Sequence, residues 1–145
     1  MIVGVDTNVL CYALDEAYPE HEKVKGVLLD LSAENKVALN PTIIHESYHV
    51  LVFSQKWMPE EAAEALKVVL KNPFIEFFNQ TRKTSITALN LSVKYNVGGR
   101  DSLIVANFLA NQTFTLLTHD KALLKLQKIT WKNTNLSFKD PITEG

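Results

Sequence analysis

The chain begins with Ile2-Val3-Gly4-Val5-Asp6-Thr7-Asn8, a short β-branched apolar run that ends in a carboxylate. Such a run reads as a buried strand. Its closing acid is then delivered to the carboxyl edge of a sheet, where open α/β folds place their ligands. We read Asp6 as the first of four carboxylates that converge on a hard metal ion, so the rest of the chain has to supply three more.

A chain of 145 residues holds one domain with a proper core. We place that core at about residues 1–132 and read 133–145 as a polar tail. A composition 46% hydrophobic and 21% charged is that of an ordinary soluble protein. The single cysteine, Cys11, leaves no internal disulfide and no zinc-type cysteine pair, which suits a reducing cytoplasm. Asp6 interrupts the apolar start, no basic leader precedes it, and no later run nears ~18 apolar residues, so neither a signal peptide nor a membrane span is expected. The net charge of −1 hides an asymmetry: residues 1–64 carry eleven acids against four bases, and residues 65–145 carry five against eleven. Such a split fits a polyanionic partner or self-association, and equally fits solvated helix faces that differ in charge.

Five strand candidates punctuate the chain: the opening run, Val37–Leu39, Ile75–Phe78, Phe114–Thr118 and a last one around Ile129–Trp131. Between them lie segments of helical spacing at Thr7–Asp15, Glu20–Glu34, Asn40 to about Gln55, Pro59–Lys71, Thr81–Tyr95, Arg100–Ala110 and a short one through Leu126. Asn40-Pro41 reads as an N-cap followed by proline at the first helical position. Ile86, Leu89 and Val93 share a face of the Thr81–Tyr95 helix. Short strands alternating with longer helices predict an α/β three-layer sandwich, a parallel sheet with helices on both faces.

Asp6 and Asp120 both lie at strand ends, which a parallel sheet brings to one edge. Asp101 follows Gly98-Gly99 at the start of a helix. An aspartate at a helix start is also an ordinary N-cap, so each of these has a purely structural alternative. Glu46 lies in the second turn of its helix, past the reach of capping, with Ile43, Val50 and Phe53 around it. Burial there calls for a cation or a proton, and no Lys or Arg occurs in that helix before Lys56. Four such acids make an oxygen-only donor set suited to Mg²⁺ or Mn²⁺. Such ions activate water and neutralise phosphate charge, and the basic C-terminal half could hold flanking phosphates.

Two other readings compete. His45-Glu46-Ser47-Tyr48-His49 matches the zinc-hydrolase pattern H-E-x-x-H, with His45 and His49 as ligands and Glu46 as general base. It offers no third ligand and leaves Asp6, Asp101 and Asp120 without a role. A non-catalytic binding or signalling module of the receiver type also puts acids at strand ends. It requires an acidic doublet after strand one, where this chain has a single aspartate.

The order Val5-Asp6-Thr7-Asn8-Val9-Leu10, then Glu46 after Asn40-Pro41, then Asp101, then Leu117-Thr118-His119-Asp120 resembles the PIN-domain family, especially the toxin ribonucleases of VapBC toxin–antitoxin pairs. The resemblance implies a central five-stranded parallel sheet flanked by helices and Mg²⁺- or Mn²⁺-dependent cleavage of RNA by metal-activated water. It implies Asp6, Glu46, Asp101 and Asp120 as the catalytic and metal-binding quartet, with Asn8 and Thr118 orienting carboxylates or water. A homodimer and an inhibiting antitoxin partner are further implications. Arg100 and His119, beside the acids, are candidate phosphate contacts.

Overall fold

The computed structural model describes residues 1–143, so the last two residues of the expected tail lie outside the described residues. The opening run forms strand β1 (Ile2–Val5), and Asp6 turns the chain into helix α1 (Thr7–Leu14). The chain continues through α2 (His21–Val24), α3 (Gly26–Leu29), β2 (Lys36–Leu39) and α4 (Pro41–His49), which runs on as a π-helical turn over Val50–Ser54. There follow α5 (Pro59–Lys71), β3 (Ile75–Phe77), α6 (Arg82–Tyr95), α7 (Gly99–Ala110), β4 (Thr115–Leu117), α8 (Lys121–Leu126), β5 (Lys128–Trp131) and β6 (Thr134–Lys139).

These strands build one sheet in the order β3-β2-β1-β4-β6-β5, flanked by helices as the sequence predicts. Every neighbouring pair is parallel except β5 with β6. The chain winds outward from β1 through β2 to β3 and then restarts on the other side of β1 with β4. The carboxyl ends of β1 and β4 therefore flank the point where the winding reverses, the place where such sheets open a crevice.

The expected five-stranded sheet has six strands, and the segment taken as a polar tail supplies the sixth. Thr134–Lys139 alternates Leu136 and Phe138 inward with polar residues outward, and inserts in parallel beside β4. Leu136 is fully buried. A four-residue reversal with Lys132 and Asn133 at positive φ returns the chain from β5 into this strand. That reversal makes β5 an antiparallel edge rather than a fifth parallel strand.

Two helices also depart from the expected pattern. The predicted Glu20–Glu34 helix is only two short turns ending at Asp30. Ser32 then captures the backbone N–H groups of Glu34 and Asn35 with its hydroxyl, an alternative to helical bonding that stops propagation. On α6 the stripe Ile86, Leu89 and Val93 faces outward, and Thr84, Ala88 and Leu91 form the buried side. Asn40 caps its helix as read, accepting from the Ile43 N–H, and Thr81 does the same for α6, accepting from that of Thr84.

Three contacts fix the helices that border the crevice. A side chain at Gly4 would meet the buried Phe108 ring 2.6 Å away, so glycine lets α7 lie directly on β1. Asn107 of α7 accepts from the Asn40 amide and donates to the Phe78 carbonyl, tying α7 to the start of α4 and the end of β3, with both asparagines fully buried. Asp15, at the end of α1, accepts from Gln55 and from the Trp57 indole, which clamps the exit of α4 against α1. Burial alone would push the Asp15 carboxyl up, but those hydrogen bonds and the Ala17 N–H hold it below the usual carboxylate range. Among the described residues no helix is long and apolar enough to cross a membrane.

Because β6 lies between β4 and β5, a chain ending at residue 132 loses an interior strand. It should show no cooperative thermal transition in circular dichroism. A 1–132 fragment that melts like the full chain would contradict this placement of the last strand.

Candidate active site

Asp6 leaves β1 at the winding reversal and does two things at once. Its Oδ1 accepts from the Thr7 N–H at 2.8 Å, capping α1, and its Oδ2 accepts from the Thr118 hydroxyl at 2.8 Å. The capping role and the site role are therefore the same placement. Burial pushes the Asp6 carboxyl above its ordinary value; the bonds from Thr118 and Thr7 pull it back, the charge of Asp120 raises it and that of Arg100 lowers it. Thr118, fully buried at the exit of β4, also accepts from the Asp120 N–H at 3.1 Å. One hydroxyl thus sets the spacing of two acids.

Asp120 spends Oδ1 on the Ala122 and Leu123 N–H groups, capping α8. Asp101 is the third residue of α7 and takes no part in its cap, which is Gly98 with no side-chain bond. Partial burial, then the charges of Asp6 and Asp120, push its carboxyl up to about 6, with Arg100 opposing and Glu46 adding. Glu46 projects from the second turn of α4: Oε1 accepts from the Thr7 hydroxyl at 2.8 Å, and Oε2 pairs with the Arg100 Nε at 2.6 Å.

The four acids line one cleft of about 210 Å³ together with Thr7, Asn8, His49, Val50 and Arg100. A larger groove of about 270 Å³ lies elsewhere, along Met1, Val3, Val27 and Lys36, and carries no such chemistry. Carboxylate oxygens dominate the donors of the cleft, with Thr7, Asn8 and the single imidazole of His49 beside them, and such an oxygen-rich set suits a hard divalent cation. Among the described residues no three His, Cys, Asp or Glu side chains stand close enough to form a ready cage. The acids wall the cleft rather than closing on one point.

The remaining candidates fall on both sides of that wall. Asn8 is exposed at the cleft and Thr118 is the buried link between acids. His119 is turned away: its Nδ1 lies 2.9 Å from Asp140 Oδ2, and Asp140 is buried just past β6. Burial would raise Asp140, but the Ile142 N–H and the His119 ring hold it below the usual range, so this pair fastens the end of β6 to the exit of β4. His49 lines the cleft, whereas its partner in the H-E-x-x-H pattern, His45, is exposed outside it. Thr7 is the residue the sequence reading passes over. Its N–H holds Asp6 and its hydroxyl holds Glu46, and its only signal is a polar residue directly after the strand-ending acid.

Comparison with known proteins bears on the fold and the family. Among curated protein sequences nothing matches significantly. Solved structures do match in fold. VapC20 of Mycobacterium tuberculosis, a sarcin-ricin loop cleaving toxin, superposes with a TM-score of 0.69 at 14% identity, over 83% of this chain and 91% of that one. VapBC2 of Rickettsia felis, bound to a promoter DNA fragment, gives 0.69 at 19% identity over 97% and 98%. FitAcB of Neisseria gonorrhoeae gives 0.60 at 18% identity over 97% and 98%. A sequence profile described as PIN domain matches residues 3–129. With that match spanning most of its length, from β1 into β5, this chain belongs to the PIN domain family.

Proposed function

We propose that this chain is a Mg²⁺- or Mn²⁺-dependent endoribonuclease, the toxin of a toxin–antitoxin pair. The observation that carries the reading is the gathering of four carboxylates from four separate elements into one cleft, where burial first, and then the charges of Asp6 and Asp120, push Asp101 up to about 6. A folded chain gains nothing structural from half-burying an acid among other acids, and perturbed acids gathered in a cleft mark functional sites. VapC20, similar in fold, is a toxin that cleaves the sarcin-ricin loop, which makes RNA the first substrate to test.

In this reading Asp6, Asp101 and Asp120 hold the cation and Glu46 completes the set. When bound, the ion activates a water molecule and offsets charge on the scissile phosphate. The chain itself supplies orientation. Thr118 and the Thr7 N–H fix the two oxygens of Asp6, the Thr7 hydroxyl steers Glu46, and the α8 cap uses only Oδ1 of Asp120. Bonds of this kind orient the carboxylates ahead of the reaction. Action in the cytoplasm, a homodimer and an antitoxin partner belong to the same proposal. They are tested by solution mass and by co-purification with the product of an adjacent gene.

Asp6→Asn and Asp101→Asn should each lower cleavage of RNA in Mg²⁺ or Mn²⁺ by at least ~100-fold, about 3 kcal/mol of transition-state stabilisation, with the fold intact. His45→Ala should leave cleavage within a few-fold, because that ring lies outside the cleft. Wild-type rates in both aspartate variants, or a folded but inactive His45→Ala, would reject the assignment.

The same charges predict a stability trade. A carboxyl raised from 3.8 to about 6 in the fold prefers to be protonated there, so its stabilising contribution is complete below pH 3.8 and is lost as pH rises through 6. Asp101→Asn removes that loss. In chelator at pH 7.5 it should melt a few degrees above wild type, roughly 1–2 kcal/mol after discounting for solvent screening. The difference should vanish near pH 4, and an equal or lower melting temperature at pH 7.5 would count against a raised Asp101 carboxyl.

A further inference from the structure

Arg100 is the cation of the cleft, and its position is costly. It is the second residue of α7, where a positive side chain opposes the helix dipole. Its side chain is 70% exposed, yet it reaches across to α4 and places Nε 2.6 Å from Oε2 of Glu46, which is only 19% exposed. Oε1 of the same glutamate is already engaged by Thr7. Both oxygens of Glu46 are therefore committed, one of them to a guanidinium that sits where positive charge from a metal ion would act.

We propose that Arg100 is an internal competitor with the divalent cation for Glu46. It is a positioning residue that holds Glu46 until the metal arrives, and its guanidinium then turns outward to meet an anionic phosphate of the substrate. This rests on the metal-dependent reading above and extends it. Arg100 is the solvated partner of this pair, so its guanidinium is free to exchange. Because a phosphate that draws Arg100 away frees Glu46, substrate and metal binding reinforce each other, and the reinforcement is reciprocal. Arginine suits this exchange, since its planar fork binds carboxylate and phosphate alike.

The test is Mn²⁺ binding by the full-length protein, read from the electron paramagnetic resonance of free Mn²⁺ in the absence of RNA. Arg100→Gln should bind Mn²⁺ about 3–10-fold more tightly than wild type, in keeping with the loss of one exposed ion pair and one repelling charge. In a Glu46→Gln background the same substitution should change affinity less than about twofold, the signature of action through Glu46 in a double-mutant cycle. A single-stranded 2′-deoxy oligonucleotide, shown to stay intact over the measurement, should tighten Mn²⁺ binding in wild type and not in Arg100→Gln.

Unchanged or weaker Mn²⁺ binding in Arg100→Gln overturns the proposal while leaving the metal site intact. So does an equal gain with and without Glu46, which would mean that Arg100 acts only as a distant charge. If wild type binds no Mn²⁺ that Asp6→Asn abolishes, the metal-dependent reading fails and this one fails with it. Arg100 is largely exposed, so its substitution leaves the fold undisturbed.

Discussion

The hydrogen bond from the Thr118 hydroxyl to Asp6 joins two residues 112 positions apart, across the reversal of sheet winding between β1 and β4. Burying a carboxylate at a strand end is unfavourable unless donors meet it. This bond, with the Thr7 N–H, is what makes the burial of Asp6 tolerable. Thr118 accepts from the Asp120 N–H with the same oxygen, so the register of β1 against β4 also fixes the second acid. Thr7 repeats the device between Asp6 and Glu46. Two threonines, one at each strand exit, turn a sheet edge into a site.

Asp101 arrives by a different route, on a helix whose position is set by packing. Phe108 against the bare backbone of Gly4, and Asn107 bonded to Asn40, settle where α7 begins. The result is a local conflict: four acids and a single guanidinium share one cleft, at the expense of stability near neutral pH. Proteins accept such conflict at working sites and compensate for it in the surrounding fold.

Much of this was legible in the residues. A β-branched run closed by an acid, Asn40-Pro41, Thr81 and the Leu-Leu-Thr approach to Asp120 each state a local preference that the fold keeps. Asp6 and Asp120 could be placed together because strand ends of a parallel sheet share an edge, a topological fact that needs no coordinates; Glu46 and Asp101, on helices, rested on the family resemblance. What failed to show depends on tertiary choice. The stripe Ile86, Leu89, Val93 has helical spacing, but spacing does not say which face of α6 turns inward. The segment 134–139 reads as polar because only its alternate residues face the core. Thr7 and Asp140 matter through partners far away in sequence, which no local pattern announces.

The central claim is that these carboxylates form one cation site, and diffraction from crystals soaked in Mn²⁺ tests it most directly. The account predicts anomalous density inside the cleft, within coordination distance of Asp6 and at least one of Asp101 and Asp120. Density beside His45 and His49, or none in the cleft at millimolar Mn²⁺, would contradict it.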